Sequence, residues 1–325
     1  MRVGADTRHV GENGSRPQVS VVILHHGRPE RLDECCDALR AGAGRLAIEL
    51  VIVDNGPRLL SAPAGVGGGP VVWLRNAVNR GFAVAANQGL RRAGAPVVLF
   101  LNSDARVGLD AVSRLYHALD SDPFLAAIAA RTESAGRCVR EPTRSFLGPF
   151  TQAAGLLGLT DVRGFPLTKG AVTGDAAAAT RAGGASSRPL QRGRWVEAAA
   201  FMVRRDLLRQ LGGFDEGYFF YEEDEDLCWR MQRRGYRIEI STEATVEHAE
   251  GATAREAGDW TVTELYRGQT RFVRQRFGVT AAWAHRLSVS AALALRAASG
   301  RGREPLRAAM EGLWKPAVAE STTVG

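Results

Sequence analysis

Residues 19–24, Val-Ser-Val-Val-Ile-Leu, and residues 50–53, Leu-Val-Ile-Val, flank a segment whose apolar residues recur at helical spacing. Both runs are short and rich in β-branched side chains, the pattern of strands covered on both faces in a parallel sheet. Between them, Pro29 to Ala41 puts Leu32, Cys35, Cys36 and Leu39 on one side of a helix. Strand, helix, strand in that order calls for a right-handed crossover and an α/β, doubly wound, mostly parallel sheet. Val71 to Leu74 reads as a further short strand, Phe82 to Ala93 as a helix, and Val97 to Leu101 as a third buried strand.

Two of these strands run straight into carboxylates. The second ends in Asp54-Asn55-Gly56-Pro57 and the third in Asn102-Ser103-Asp104. Open α/β sheets bind ligands outside the carboxyl ends of their strands, so a nucleotide is expected there. Asp54 would be a fixed acceptor for a pyrimidine N3–H or a ribose hydroxyl; a turn or capping role is the alternative. Asp104 could hold Mg2+ or Mn2+, ions completed by substrate phosphates, or could equally end a strand as a cap.

Farther along, Glu222-Glu223-Asp224-Glu225-Asp226 precedes an apolar, arginine-bearing helix over about 223–235. Acidic residues suit a helix N-terminus, which makes a solvated cap one reading. Crowded carboxylates also raise one another's pKa, which makes a proton acceptor near neutral pH the other. Helix 205–211 is stopped by Gly212-Gly213, regular structure runs from Val196 to Val203, and Arg237 to Ile240 is a strand, followed by His248. His248 could join Asp104 at a metal.

From about 146 to 192 the pattern fades into Gly, Ala, Thr and Ser, which predicts a flexible loop. From Trp260 onward the chain reads as helical, with Arg267, Arg271 and Arg274 along one face. The expected division is a polar tail over 1–18, a main domain over 19–255 and a helical extension over 256–325. Within the main domain, 19–105 would hold the nucleotide and 106–255 the acceptor.

The 325 residues carry a formal net charge of +7, nearly all of the basic residues being arginine, with Lys169 and Lys315 the two lysines. Arginine's planar fork suits diphosphates and anionic lipids. Nucleic acid is not an expected partner, because no recognised binding motif is present and the acidic clusters repel phosphate. Adjacent Cys35 and Cys36 cannot pair without strain, so thiols in a reducing compartment are expected. The first 18 residues lack an apolar core and no stretch approaches 18 apolar residues, so a cytoplasmic protein is expected; the helices from 260 onward and Leu287 to Leu295 read first as a solvated face, with peripheral contact at an anionic membrane as the alternative.

The motifs, taken in order over about Val19 to Gly251, resemble the family 2 glycosyltransferases of GT-A fold, particularly the rhamnosyltransferase-like branch. VSVVILHHGRPERL is similar to the family's opening strand, with His25, His26 and Gly27 at positions where Thr, Tyr and Asn are usual and which help hold the nucleotide. VIVDNG implies that Asp54 binds base or ribose. Asn79-Arg80-Gly81-Phe82-Ala83 through Asn87-Gln88-Gly89 resembles the branch signature that packs a helix beside the donor. LNSDARV is similar to the L-N-P/S-D variant of the DxD motif, with Asn102 in place of the first Asp on the donor side, which implies Asp104 as the main carboxylate ligand of the metal. VEAAAFMVRRDLLRQLGGFDEGYFFYEEDEDLCWRMQRRGYRI is the fullest match, with Ala198 where Gly is usual. It implies Asp224 as general base, Glu223, Asp226 and Trp195 as acceptor-site or supporting residues, and His248 as second metal ligand. The resemblance implies an inverting transfer of a sugar, with dTDP-rhamnose favoured over UDP-sugars, onto a glycan, lipid-linked or small-molecule hydroxyl. A nucleotide-sugar binder without turnover is the first alternative and a basic nucleic-acid-binding protein the second.

Overall fold

The computed structural model of the chain describes residues 16–26, 28–56, 65–134, 138–140, 143–159, 187–191, 193–196, 199–248, 258–300 and 305–315. Elements follow in chain order as β1 (Val19–His25), α1 (Pro29–Gly42), β2 (Ile48–Asp54), β3 (Val71–Arg75), α2 (Phe82–Arg92), β4 (Val97–Asn102) and β5 (Ala105–Val107). Next come α3 (Ala111–Asp120), β6 (Leu125–Ser134), β7 (Cys138–Arg140), β8 (Thr143–Ser145), α4 (Thr151–Leu156), β9 (Ser187–Pro189), β10 (Arg194–Val196) and β11 (Ala200–Arg204). The remainder is α5 (Arg205–Gln210), α6 (Glu223–Arg233), β12 (Arg237–His248), α7 (Trp260–Phe277), α8 (Val279–Ala298) and α9 (Leu306–Trp314). The chain divides into two compact units, Met1–Arg144 with Thr173–Gly217 and Asp224–Glu250, and Ser145–Val172 with Tyr218–Glu223 and Gly251–Gly325.

The first unit is built on a mixed sheet of order β3-β2-β1-β4-β11-β6-β12-β5. Its first half is parallel throughout, as the apolar runs of β1, β2 and β4 demand, since Val21, Ile23, Leu50, Ile52 and Leu99 are fully buried. Each such side chain contributes about 1.5–3 kcal/mol relative to exposure. α2 packs closely on β1: a Cβ at Gly89 would lie 2.3 Å from a Val22 methyl. The second half is mixed, because β11 runs antiparallel to both β4 and β6 while β12 runs parallel to β6.

Several boundaries differ from the sequence reading. Val196 to Val203 is not one strand: β10 pairs with β8 in a separate small sheet, whereas β11 enters the main one. β12 does not stop at Ile240 but continues to His248, with irregular register against β6 between Ile240 and Thr245. Most of the loop expected over 146–192, the tail before Arg16, and Gly27 and Ala198 lie outside the described residues.

The second unit is helical. Val262 and Tyr266 of α7, Val289 and Leu293 of α8, Ala309 and Leu313 of α9 and Leu156 of α4 form its core. Among the described residues no helix is long and apolar enough to cross a membrane. Cys35, Cys36 and Cys228 are buried free thiols; burial pushes Cys36 up to about 11 and Cys228 up to about 12, so neither is a nucleophile near neutral pH.

Candidate active site

Register brings the predicted strand-end residues to one edge of the first unit's sheet. His25 is the ladder partner of Asp54, and Asn102 that of Leu24. Asp54 is fully buried. One of its oxygens accepts a hydrogen bond from the Gly56 N–H at 2.9 Å. The other is buried with no hydrogen-bond partner among the described residues. A buried carboxylate oxygen left without a donor costs on the order of 1–3 kcal/mol, more when charged, so this atom is suited to receive one. His26 stands close by: burial lowers its pKa, and the Asp54 charge opposes that shift.

Amide side chains brace this edge, Asn55, Asn79 and Gln88 from within the motifs and Asn76 from outside them. Asn55 donates to the Gly81 carbonyl at 3.1 Å and accepts from Asn76 at 2.6 Å. Asn76 and Gln88 exchange hydrogen bonds at 2.8 and 2.9 Å. Asn79 accepts from the Gly81 N–H at 2.9 Å, and Gly81, at φ 77°, occupies a conformation that a Cβ would strain as it opens α2. These amides tie the ends of β2 and β3 to the start of α2.

Asn87 faces elsewhere. Its amide donates to the Phe214 carbonyl at 2.9 Å and to Glu216 at 3.0 Å, and accepts from the Phe214 N–H at 2.9 Å. Gly213, at φ 73°, has no room for a side chain, since a Cβ would sit 2.3 Å from the Asn87 oxygen. The branch signature and the Gly-Gly-Phe-Asp segment are thus two halves of one clamp, with Phe214 set edge-on against Phe82 and Phe100.

Asp104 and His248, 144 positions apart in the sequence, meet. Three residues of β5 pair with the end of β12, with Ala105 opposite His248, and the His248 Nε2 lies 3.2 Å from an Asp104 oxygen. Both are partly open, at 17% and 11% side-chain exposure. Asn102, just before, donates its backbone N–H to the Ala199 carbonyl at 3.1 Å, and the buried Cys35 thiol donates to its carbonyl at 3.5 Å. One carboxylate and one imidazole are a donor set that Mn2+ accepts. Among the described residues no group of three or more His, Cys, Asp or Glu side chains could hold a metal. Such a two-ligand site fits an ion that phosphate oxygens and water complete.

The acidic cluster is not a solvated cap. Glu222, Glu223, Glu225 and Asp226 are buried, and Asp224 alone of the five is partly accessible. Asp226 accepts from the Arg230 Nε at 2.6 Å, and Arg230 also donates to the Leu211 carbonyl at 2.9 Å, which anchors α6. Asp224 accepts from the Glu225 N–H at 2.9 Å. Immediately before α6, Tyr221 and Glu222 stand at φ 72° and 70°, consecutive non-glycine residues in the left-handed region. Such strain costs about 1–3 kcal/mol per residue and is concentrated at functional sites. Trp195 is buried in β10, with the Arg144 guanidinium 5.9 Å from its ring centroid.

Known proteins share parts of this chain. Residues 20–170 match the family model described as glycosyl transferase family 2. The chain is 35% identical over 72 residues to the N-acetylglucosaminyl-diphospho-decaprenol L-rhamnosyltransferase of Mycobacterium tuberculosis, 22% of either protein. It is 24% identical over 271 residues to the O-antigen biosynthesis protein RfbC of Myxococcus xanthus, 77% of this chain and 19% of that one. The aligned part therefore spans about a fifth of these relatives' length. Among solved structures, GalNAc-T7 with UDP, GalNAc and Mn2+ superposes with TM-score 0.54 at 16% identity, over 83% of this chain and 51% of that one. The mannosyltransferase PcManGT of Pyrobaculum calidifontis, with GDP-Man and Mn2+, does so with TM-score 0.50 at 16% identity, over 92% and 79%. At these identities the likeness is one of fold, the GT-A arrangement. Residues 20–170 thus resemble a glycosyl transferase family 2 domain.

Proposed function

We propose that the protein is an inverting, divalent-metal-dependent glycosyltransferase that takes a sugar, rhamnose from dTDP-rhamnose first among candidates, to a hydroxyl of a glycan, lipid-linked or small-molecule acceptor. The observation that carries this reading is the 3.2 Å approach of His248 to Asp104 at the sheet edge. Asp104 and His248 would hold Mn2+ or Mg2+, which supplies neutralisation of the charge developing on the leaving diphosphate. Asp54 directs its unpartnered oxygen to a donor on the base or ribose, and the amides of Asn55, Asn76 and Gln88 keep that edge fixed. Asp224, the accessible member of its cluster, accepts the proton of the acceptor hydroxyl. Attack opposite the leaving group inverts the anomeric centre in one displacement. Rhamnose as the donor sugar is supported by the mycobacterial relative's name and by the branch signature.

The test is a donor screen with the whole chain, reading thermal shift with and without Mn2+ and then the anomeric configuration of the product. Metal-dependent stabilisation by one nucleotide sugar, followed by an inverted product, is expected. A retained configuration would overturn the displacement. Donor binding with no turnover on any acceptor, unchanged in Asp224→Asn, would favour a binding protein instead.

A further inference from the structure

The second unit presents an apolar stripe where a surface helix ordinarily presents polar residues. α8 buries Ala282, His285, Val289, Ala292 and Leu293 on one side. On the opposite side, Val279, Trp283, Leu287 and Leu295 are 49–60% exposed. At 3.6 residues per turn a step of four drifts by about 40°, so Trp283, Leu287 and Leu295 wind across the half of the helix opposite its buried side. A helix apolar on both faces is ordinarily enclosed by protein or by lipid.

Charge says which. Residues 274–315 carry seven arginines and Lys315 against Glu304 and Glu311, a net charge of +6 in a chain whose net charge is +7. Arg286 spans the stripe's aromatic end, its guanidinium 5.5 Å from the Trp283 ring centroid and 5.8 Å from that of Trp314. Burial lowers the Arg286 pKa and the Arg274 charge lowers it further, so these two cations stand near one another. Among the described residues neither has a carboxylate partner. Adjacent cations beside exposed tryptophan and leucine are the composition of an interfacial helix, and an apolar stripe offers nothing to a nucleic acid backbone.

We propose that the exposed face of α8 docks the protein on the surface of an anionic phospholipid bilayer, with Trp283, Leu287 and Leu295 in the headgroup boundary and Arg274 and Arg286 toward lipid phosphates. The helix lies in the plane of the surface and does not span it. Docking is separate from catalysis.

The experiment is flotation of the whole chain with vesicles of phosphatidylcholine alone or mixed with phosphatidylglycerol, without any sugar donor. Failure then leaves the proposed transfer untouched. Flotation with the anionic vesicles only, weakened by salt, is expected. Each surface arginine contributes about fivefold to partitioning, from about 1 kcal/mol per residue; Arg274→Glu with Arg286→Glu should therefore weaken flotation by at least about tenfold. Leu287→Asp with Leu295→Asp should do the same, with circular dichroism and melting temperature unchanged; if the aspartates unfold the helix, Leu295→Gln replaces them. The proposal is overturned if the protein ignores anionic vesicles or if the variants float like wild type. It is also overturned if the leucine variants only split a dimer, or if nucleic acid binds the face and vesicles do not compete.

Discussion

Asp54 and Asp224 are both buried-site carboxylates of one unit, yet they are held by different means. Asp54 ends a strand whose every residue is buried and paired in a parallel ladder, so its position follows from the sheet. Asp224 is the second residue of α6, which begins directly after two residues in left-handed conformation, so its position follows from strain that surrounding packing must maintain. At Gly268 of α7, a Cβ would sit 3.0 Å from the Glu222 side chain and 3.1 Å from the Tyr221 carbonyl oxygen, so that packing is tight. The contrast teaches that a donor-side residue can be placed by regular structure, while the residue proposed to move the proton is placed against local preference.

That contrast can be broken in order of expected effect. Asp224→Asn should lower kcat by about 10²–10⁴, with donor affinity and melting temperature preserved, as steady-state kinetics and calorimetry would show. Equal loss of donor binding would mean that Asp224 does not act on the acceptor. In the helical unit, burial pushes His285 down to about 4 from an ordinary 6.5. The unfolded chain binds more protons between those values, so stability is full above about pH 6.5 and falls as pH drops toward 4, by about 3 kcal/mol in all. Denaturant titration at stepped pH checks this, and His285→Leu should flatten the slope. The smallest effect on stability belongs to Tyr221→Gly, which relieves left-handed strain but loses the ring contact with Phe220 at 4.2 Å. Stability should change by less than about 1 kcal/mol, while kcat falls about tenfold as Asp224 loosens. Unchanged kcat would show that the strain has no part in placing Asp224.

The same contrast explains what the sequence made legible. β1, α1, β2 and β4 announce themselves because apolar runs and helical spacing persist over several residues, and the carboxylates at their ends follow by position. β5 has three residues, too few for any period, yet its pairing with β12 is what joins Asp104 to His248. The end of β12, Ser-Thr-Glu-Ala-Thr-Val-Glu-His, carries six polar residues in eight although it is paired on both sides, with β6 and β5, and so reads as a loop. α3 and β6 lie between the motifs, and no motif marks them. The Asn55, Asn76 and Gln88 network depends on side chains from separate elements, which no local pattern encodes. Nor do Tyr221 and Glu222 signal left-handed backbone, as Gly or Asn would. The acidic cluster was legible as a cluster, but only burial separates Asp224 from its four neighbours.

The account rests on Asp104 and His248 forming one site with a diphosphate. Isothermal titration of Mn2+ into the whole chain, with and without dTDP or UDP, tests it without any turnover. Mn2+ binding should tighten when the nucleoside diphosphate is present, and both Asp104→Asn and His248→Ala should weaken it by about tenfold or more while the fold is kept. Mn2+ binding that is indifferent to the nucleotide, or equal in the two variants and the parent, would contradict it.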